Sequence, residues 1–160
     1  MFGFLTLGTT MAMTDLAFKN HIDSRNDEEF PKELEGSKGK ILLYKNHNDG
    51  FSFGVLRGSR LVELVPICLT SGIAGVWTYL MSVRGRWAEK LAITLVLAGG
   101  ASNLIDRLTK GYVVDYICVR WKALKKVVFN LADVFIMVGC SLLVTVNGIE
   151  VMKDMWKRKK

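Results

Sequence analysis

Asp133 lies inside the apolar run VVFNLADVFIMVG, and Asp115 stands shortly before it in GYVVDY. An ionisable side chain at membrane depth is costly to bury, which makes it a candidate for function. Two carboxylates held close together in a partly dehydrated cleft do not both ionise cheaply, so they share a proton and titrate as a coupled pair. Such a pair can hydrolyse an amide: the ionised member draws a proton from water while the protonated member polarises the carbonyl. Asn103, Asn130 and Arg107 are residue types that orient carboxylates or hold a peptide backbone. Each residue also has a plainer explanation. Asp133 alone is explained by capping a helix N-terminus, and Asp106 with Arg107 by an interfacial ion pair, the better account of Asp106. Neither explains why Asn103, Asp106, Arg107, Asp115 and Asn130 gather at the ends of neighbouring apolar segments.

Those segments follow from where the charges stand. Half of the 160 residues are apolar and only 23% are charged. Residues 1–14, 64–83 and 91–105 carry no charge, and 127–149 carries Asp133 alone. About 20 apolar residues cross the hydrocarbon core as a helix, so spans are placed near 1–18, 61–83, 87–105 and 127–152. The first is short and has a signal peptide as its rival. Because no Lys or Arg precedes Lys19 and no small-residue cleavage site follows, a retained helix is expected, with Asp15 and Lys19 one turn apart on one face. Residues 20–60 are hydrophilic; within them Lys40–Lys45 (KILLYK) and the alternating Phe51 and Phe53 suit short strands.

The expected architecture is therefore an all-α membrane protein, a single domain over 1–160. It has four transmembrane helices and a small β element in the first extracytoplasmic loop. Its outer loops are 19–60 and 106–126. An even number of spans puts both termini on one side. The cations of 84–90 and of the C-terminal KDMWKRKK assign that side to the cytoplasm. Six cations in the second outer loop run against this rule: Arg107, Lys110, Arg120, Lys122, Lys125 and Lys126. On this topology Asp15, Asn48, Asn103, Asp106, Arg107, Asp115, Asn130 and Asp133 all come to the outer face.

The net charge of +7 and pI near 9.4 do not imply nucleic acid, because the cations sit in loops and at helix ends. Cys68, Cys118 and Cys140 are odd in number and lack metal-ligand spacing, so they are taken as packing thiols. His21 and His47 have no evident Ser or Cys partner, and Gly99-Gly100 suits close helix packing, not phosphate binding. No cofactor or metal is expected.

Four motifs together resemble the lipoprotein signal peptidases (signal peptidase II), four-helix membrane aspartyl peptidases of bacteria. The family pattern NxGxxFG is similar to Asn48–Gly54 (NDGFSFG), GGxxNxxDR to Gly99–Arg107 (GGASNLIDR), GxVVDF to Gly111–Tyr116 (GYVVDY), and FNxAD to Phe129–Asp133 (FNLAD). The resemblance implies that Asp115 and Asp133 form the catalytic dyad, that Asn103, Arg107 and Asn130 support it, and that Asn48 meets the substrate. Asp15 and Asp106 complete the candidate set. The implied substrate is a diacylglyceryl-modified prolipoprotein, cut before its lipidated Cys by a monomer in contact with membrane lipid. The implied setting is the bacterial cytoplasmic membrane, with the active site outward. The family's DQxxK appears here as Asp15–Lys19 (DLAFK), with Leu16 in place of Gln. The CDP-alcohol phosphotransferases are rejected, since Val119 stands where their motif needs a further Asp. The alternative is a small non-enzymatic transporter or membrane assembly subunit, which needs only the helices and buried carboxylates.

Overall fold

The computed structural model describes residues 2–50, 58–121 and 127–158. The strand expected around Phe51 and Phe53, and the cations Lys122, Lys125 and Lys126, lie outside them. Among the described residues there are four α-helices: α1 (Phe2–Asp23), α2 (Leu61–Ser82), α3 (Trp87–Lys110) and α4 (Leu131–Arg158). Among the described residues, α2, α3 and α4 are long and apolar enough to cross a membrane. α3 is the centre of the bundle, packed against each of the other three helices. Half of its apolar stretch is buried, against 6% for α2 and α4. Their uncovered surfaces carry Leu64, Leu69, Val76, Met137, Val138 and Val144, an apolar exterior that suits lipid and not water.

Glycines let α3 and α4 approach closely. A Cβ on Gly99 would collide with the Ala132 carbonyl, and one on Gly139 would sit 2.6 Å from the Ala92 carbonyl oxygen and 2.7 Å from Val96. Backbone cannot yield as a flexible side chain can, so these are small-residue contacts of the membrane-helix kind. Gly99→Ala is expected to push apart the α3–α4 contact beside Asp133 and to cost about 2 kcal/mol or more. Its apparent melting temperature in detergent should fall clearly below the parent's. Gly148→Ala, with nothing within 4 Å of its added methyl, should melt with the parent. Equal melting of the two variants would contradict the close packing.

The four strands β1 (Lys32–Glu33), β2 (Ile41–Asn48), β3 (Val113–Val119) and β4 (Val128–Phe129) form one antiparallel sheet in chain order. The sheet is not confined to the first loop as expected: β3 and β4 come from the chain between α3 and α4. The physical reason lies in VVDYICV. It is rich in β-branched and aromatic residues and, being buried on both faces between α1, α3 and β2, shows no polar alternation to mark it as a strand. α3 also runs past the expected end at 105. Asp106 and Arg107 are therefore helical, and Gly111, at φ 82°, closes the helix with its N–H on the Arg107 carbonyl.

One irregularity in the β2–β3 pairing decides which side chains meet. Leu43 pairs with Ile117, but Asn46, not Lys45, pairs with Asp115, so β2 carries one extra residue between the two pairs. A one-residue shift exchanges the two faces of a strand. In strict register Lys45 and His47 would share the Asp115 face. The bulge instead turns Asn46 and Asn48 toward it.

Candidate active site

The two carboxylates meet where β3 passes the first turn of α4. Asn130 and Asp133 cap that helix reciprocally: the Asn130 side-chain oxygen accepts the Asp133 backbone N–H (2.9 Å), and Asp133 Oδ2 accepts the Asn130 N–H (3.2 Å). The plain capping role of Asp133 is therefore real, and it holds the residue in place. Asn130, fully buried, also donates from Nδ2 to Asp115 Oδ1 at 2.8 Å, so one side chain ties both acids.

Two further asparagines complete the clasp. Asn48 donates to Asp115 Oδ2 (3.1 Å) and Asn103 to Asp133 Oδ1 (2.9 Å). In all three asparagines the amide oxygen is occupied by a group that only donates. These are Gly50 N–H for Asn48 (3.1 Å), Lys19 Nζ for Asn103 (2.7 Å) and Asp133 N–H for Asn130. The amide nitrogen must then face a carboxylate in each case.

Asp115 is 5% exposed. Burial, reinforced by the charge of Asp133, pushes its carboxyl up to about 6, against the opposing N–H groups of Asn48 and Asn130. Arg107 reaches over the site, donating to the Gly50 carbonyl (3.1 Å) and to the Asn103 carbonyl (3.4 Å). It thus fixes the end of the segment that carries Asn48.

Beneath the clasp is a buried charged cluster that the sequence shows only in part. Asp15 binds Lys19 (2.9 Å), accepts the Ser102 hydroxyl (2.6 Å) and accepts the Tyr116 hydroxyl (3.0 Å). Asp106 pairs with Lys110 at 2.9 Å and Lys19 at 3.3 Å and accepts the Val114 N–H at 3.2 Å, while its charge also acts on the neighbouring Arg107. Asp15 and Asp106 therefore support the site from behind and do not touch either member of the pair. Lys19, Ser102 and Tyr116, which build this cluster behind the clasp, are absent from the sequence candidates. The i,i+4 spacing of Asp15 and Lys19 signalled the first, while Ser102 gave no signal. Tyr116 occupies a position that is Phe in the resembled pattern; burial beside Asp15 holds its hydroxyl well above the usual range, so it stays protonated and donates.

Fold and site together define an integral membrane protein of helical type, with a small extramembrane sheet and a clasped pair of carboxylates where the sheet meets the helices. Two solved structures of bacterial membrane enzymes share the fold. One has a TM-score of 0.77 at 22% identity over 97% of this chain and 90% of that one. The other scores 0.74 at 22% identity, over 91% and 92%. The family model described as signal peptidase (SPase) II matches residues 7–147, and the chain belongs to the signal peptidase II family. A lipoprotein signal peptidase of Sinorhizobium fredii (strain NBRC 101917 / NGR234) is 34% identical over 104 residues, 65% of this chain and 63% of the relative. One of Brucella ovis is 33% identical over 104 residues, 65% of each. The match thus spans somewhat under two thirds of the length of these relatives.

Proposed function

We propose that the protein is a membrane aspartyl endopeptidase that removes the signal peptide from diacylglyceryl-modified prolipoproteins by cleaving before the lipidated Cys. The observation that carries this reading is the clasp: Asp115 and Asp133, on different elements, joined through Asn130 and each held by a second asparagine. Asp133 is the base. It lies at the N-terminus of α4, where each of its oxygens accepts an N–H group, so both stay aimed into the site. Asp115, with its raised pKa, is the protonated partner.

Asp133 takes a proton from water as the water oxygen bonds the scissile carbonyl carbon, and Asp115 gives its proton to the carbonyl oxygen. The gem-diol collapses when Asp133 passes its proton to the leaving nitrogen and a hydroxyl proton returns to Asp115. The C–N bond breaks, and both carboxyls regain their starting states.

α1 is 22 residues long, about 33 Å at 1.5 Å per residue, and packs along α3, so it serves as the fourth span. Both termini then lie in the cytoplasm, with Lys153, Lys157 and Arg158 at the inner headgroups. The site lies at the outer face of a bacterial cytoplasmic membrane, where a lipid anchor and an adjacent peptide bond are both within reach of one monomer.

Purified protein in detergent is expected to convert a diacylglyceryl-modified prolipoprotein to its shorter form, to leave the unlipidated precursor intact, and to be indifferent to a chelator. Failure to cleave the lipidated substrate would favour the transporter or assembly-subunit reading, which needs the buried acids but no hydrolysis.

A further inference from the structure

Among the described residues Lys19 is the largest side chain fully withdrawn from solvent, and it belongs to α1, which contributes no atom to the carboxylate pair. A buried ammonium needs compensating charge, and Asp15 and Asp106 already supply it. Its shortest contact, however, is to a neutral group, the Asn103 amide oxygen at 2.7 Å. Backbone N–H groups orient Asn48 and Asn130, whereas Asn103 is oriented by this distant side chain. An ammonium has three donors and no acceptor. Were the Asn103 amide turned over, its NH2 would face the ammonium and its oxygen would face Asp133.

We propose that Lys19 is a positioning residue of the reaction: it fixes the orientation of the Asn103 side-chain amide, and so presents the Asn103 N–H to Asp133, the residue assigned to take the proton from water. This rests on the assignment of Asp133 as base; the Asp115 carboxyl on β3 and the Arg107 guanidinium on α3 also face Asp133, and both are kept in the variants below. The cluster is then more than a structural plug, because it sets the electrostatics of a residue it does not touch.

The test is the pH dependence of kcat and KM for a lipid-modified prolipoprotein in detergent. A hydrogen bond to a charged group is worth enough to displace a carboxyl by about one pKa unit. In Lys19→Met the acid limb of kcat should move up by about one pH unit. On that limb kcat should fall about tenfold, with KM little changed. Asn103→Leu should give the same shift, and the double variant no more than either alone, since both remove one interaction. Asp15→Asn/Lys19→Met preserves the balance of buried charge and should show the shift as well if Lys19→Met alone inserts poorly. An unmoved acid limb in Asn103→Leu or in either Lys19 variant overturns the proposal, as do multiplicative effects in the double variant. The parent reading fails separately: if Asp133→Asn still cleaves, the dyad is wrong. If Asp133→Asn is inert while Lys19→Met keeps the parent profile, only the positioning role is wrong.

Discussion

Asp133→Asn is expected to lower kcat for cleavage of a lipid-modified prolipoprotein by at least about a thousandfold, with KM little changed and the protein still folded in the membrane. An amide at 133 cannot take a proton from water, which removes the proposed base. It can still accept one of the two N–H groups that now reach Asp133, from Asn103 and the Asn130 backbone, so the start of α4 survives at a cost of about 1 kcal/mol. Asp115 keeps both its asparagine donors, and Arg107 keeps its hold on the Gly50 and Asn103 carbonyls. On the proposed mechanism the surrounding polar groups are left in place while the group that reacts only in the transition state is lost, so kcat moves and KM does not. The check is single-turnover cleavage in detergent, with size-exclusion and thermal melting to show an intact fold. Cleavage within tenfold of the parent would remove Asp133 from the chemistry and leave it as a helix cap.

How far the sequence reaches depends on which residue is asked. Asp133 is conspicuous because a charge inside an apolar run has few innocent explanations. Asn103 and Asn130 are conspicuous because they sit at the ends of such runs. Asp115 could be placed near them only because short connections bring neighbouring helix ends together. The strand on which it lies was illegible, since a strand buried on both faces has no alternation to show. The bulge in β2 was equally hidden. Nothing in ILLYKNHN says that one residue is extra, yet this single insertion puts Asn48 on the carboxylate and turns Lys45 away to Asp27 and the Arg25 carbonyl. Lys19 illustrates a third limit. Its spacing from Asp15 predicts an ion pair but not that both are fully buried, nor that α3 would meet them with Ser102, Asn103 and Asp106. Position along one helix is periodic and readable, whereas contact between helices is not. Of the six outer-loop cations that opposed the positive-inside rule, the structure accounts for two: Lys110 is taken up by Asp106 and Asp23, and Arg107 by backbone carbonyls.

The second large effect falls on stability, and its sign follows from Asp115. Its carboxyl titrates near 6 in the folded protein, against an ordinary value of 3.8. Below pH ~3 both folded and unfolded chains hold the proton, and the group costs nothing. As the pH rises toward 6 the unfolded chain releases it first, so the folded state binds more protons and loses stability. Above about pH 6 the penalty is constant, on the order of 3 kcal/mol for a shift of about two units. Asp115→Asn does not ionise and escapes this penalty. Its own cost, one lost bond to Asn48 or Asn130, does not vary with pH. The stability difference between variant and parent should therefore swing by about 3 kcal/mol in favour of the variant between pH ~3 and pH ~8, measured by thermal or denaturant unfolding in detergent. The swing should narrow when Asp133 is also made Asn, because the Asp133 charge is the second cause of the shift. A pH-independent difference would mean that Asp115 bears no strain, and would remove the reason for assigning it the shared proton. If the swing appears, Asp115→Asn gains on the parent as the pH rises to neutral, as expected of a site that disfavours the charge of its carboxyl.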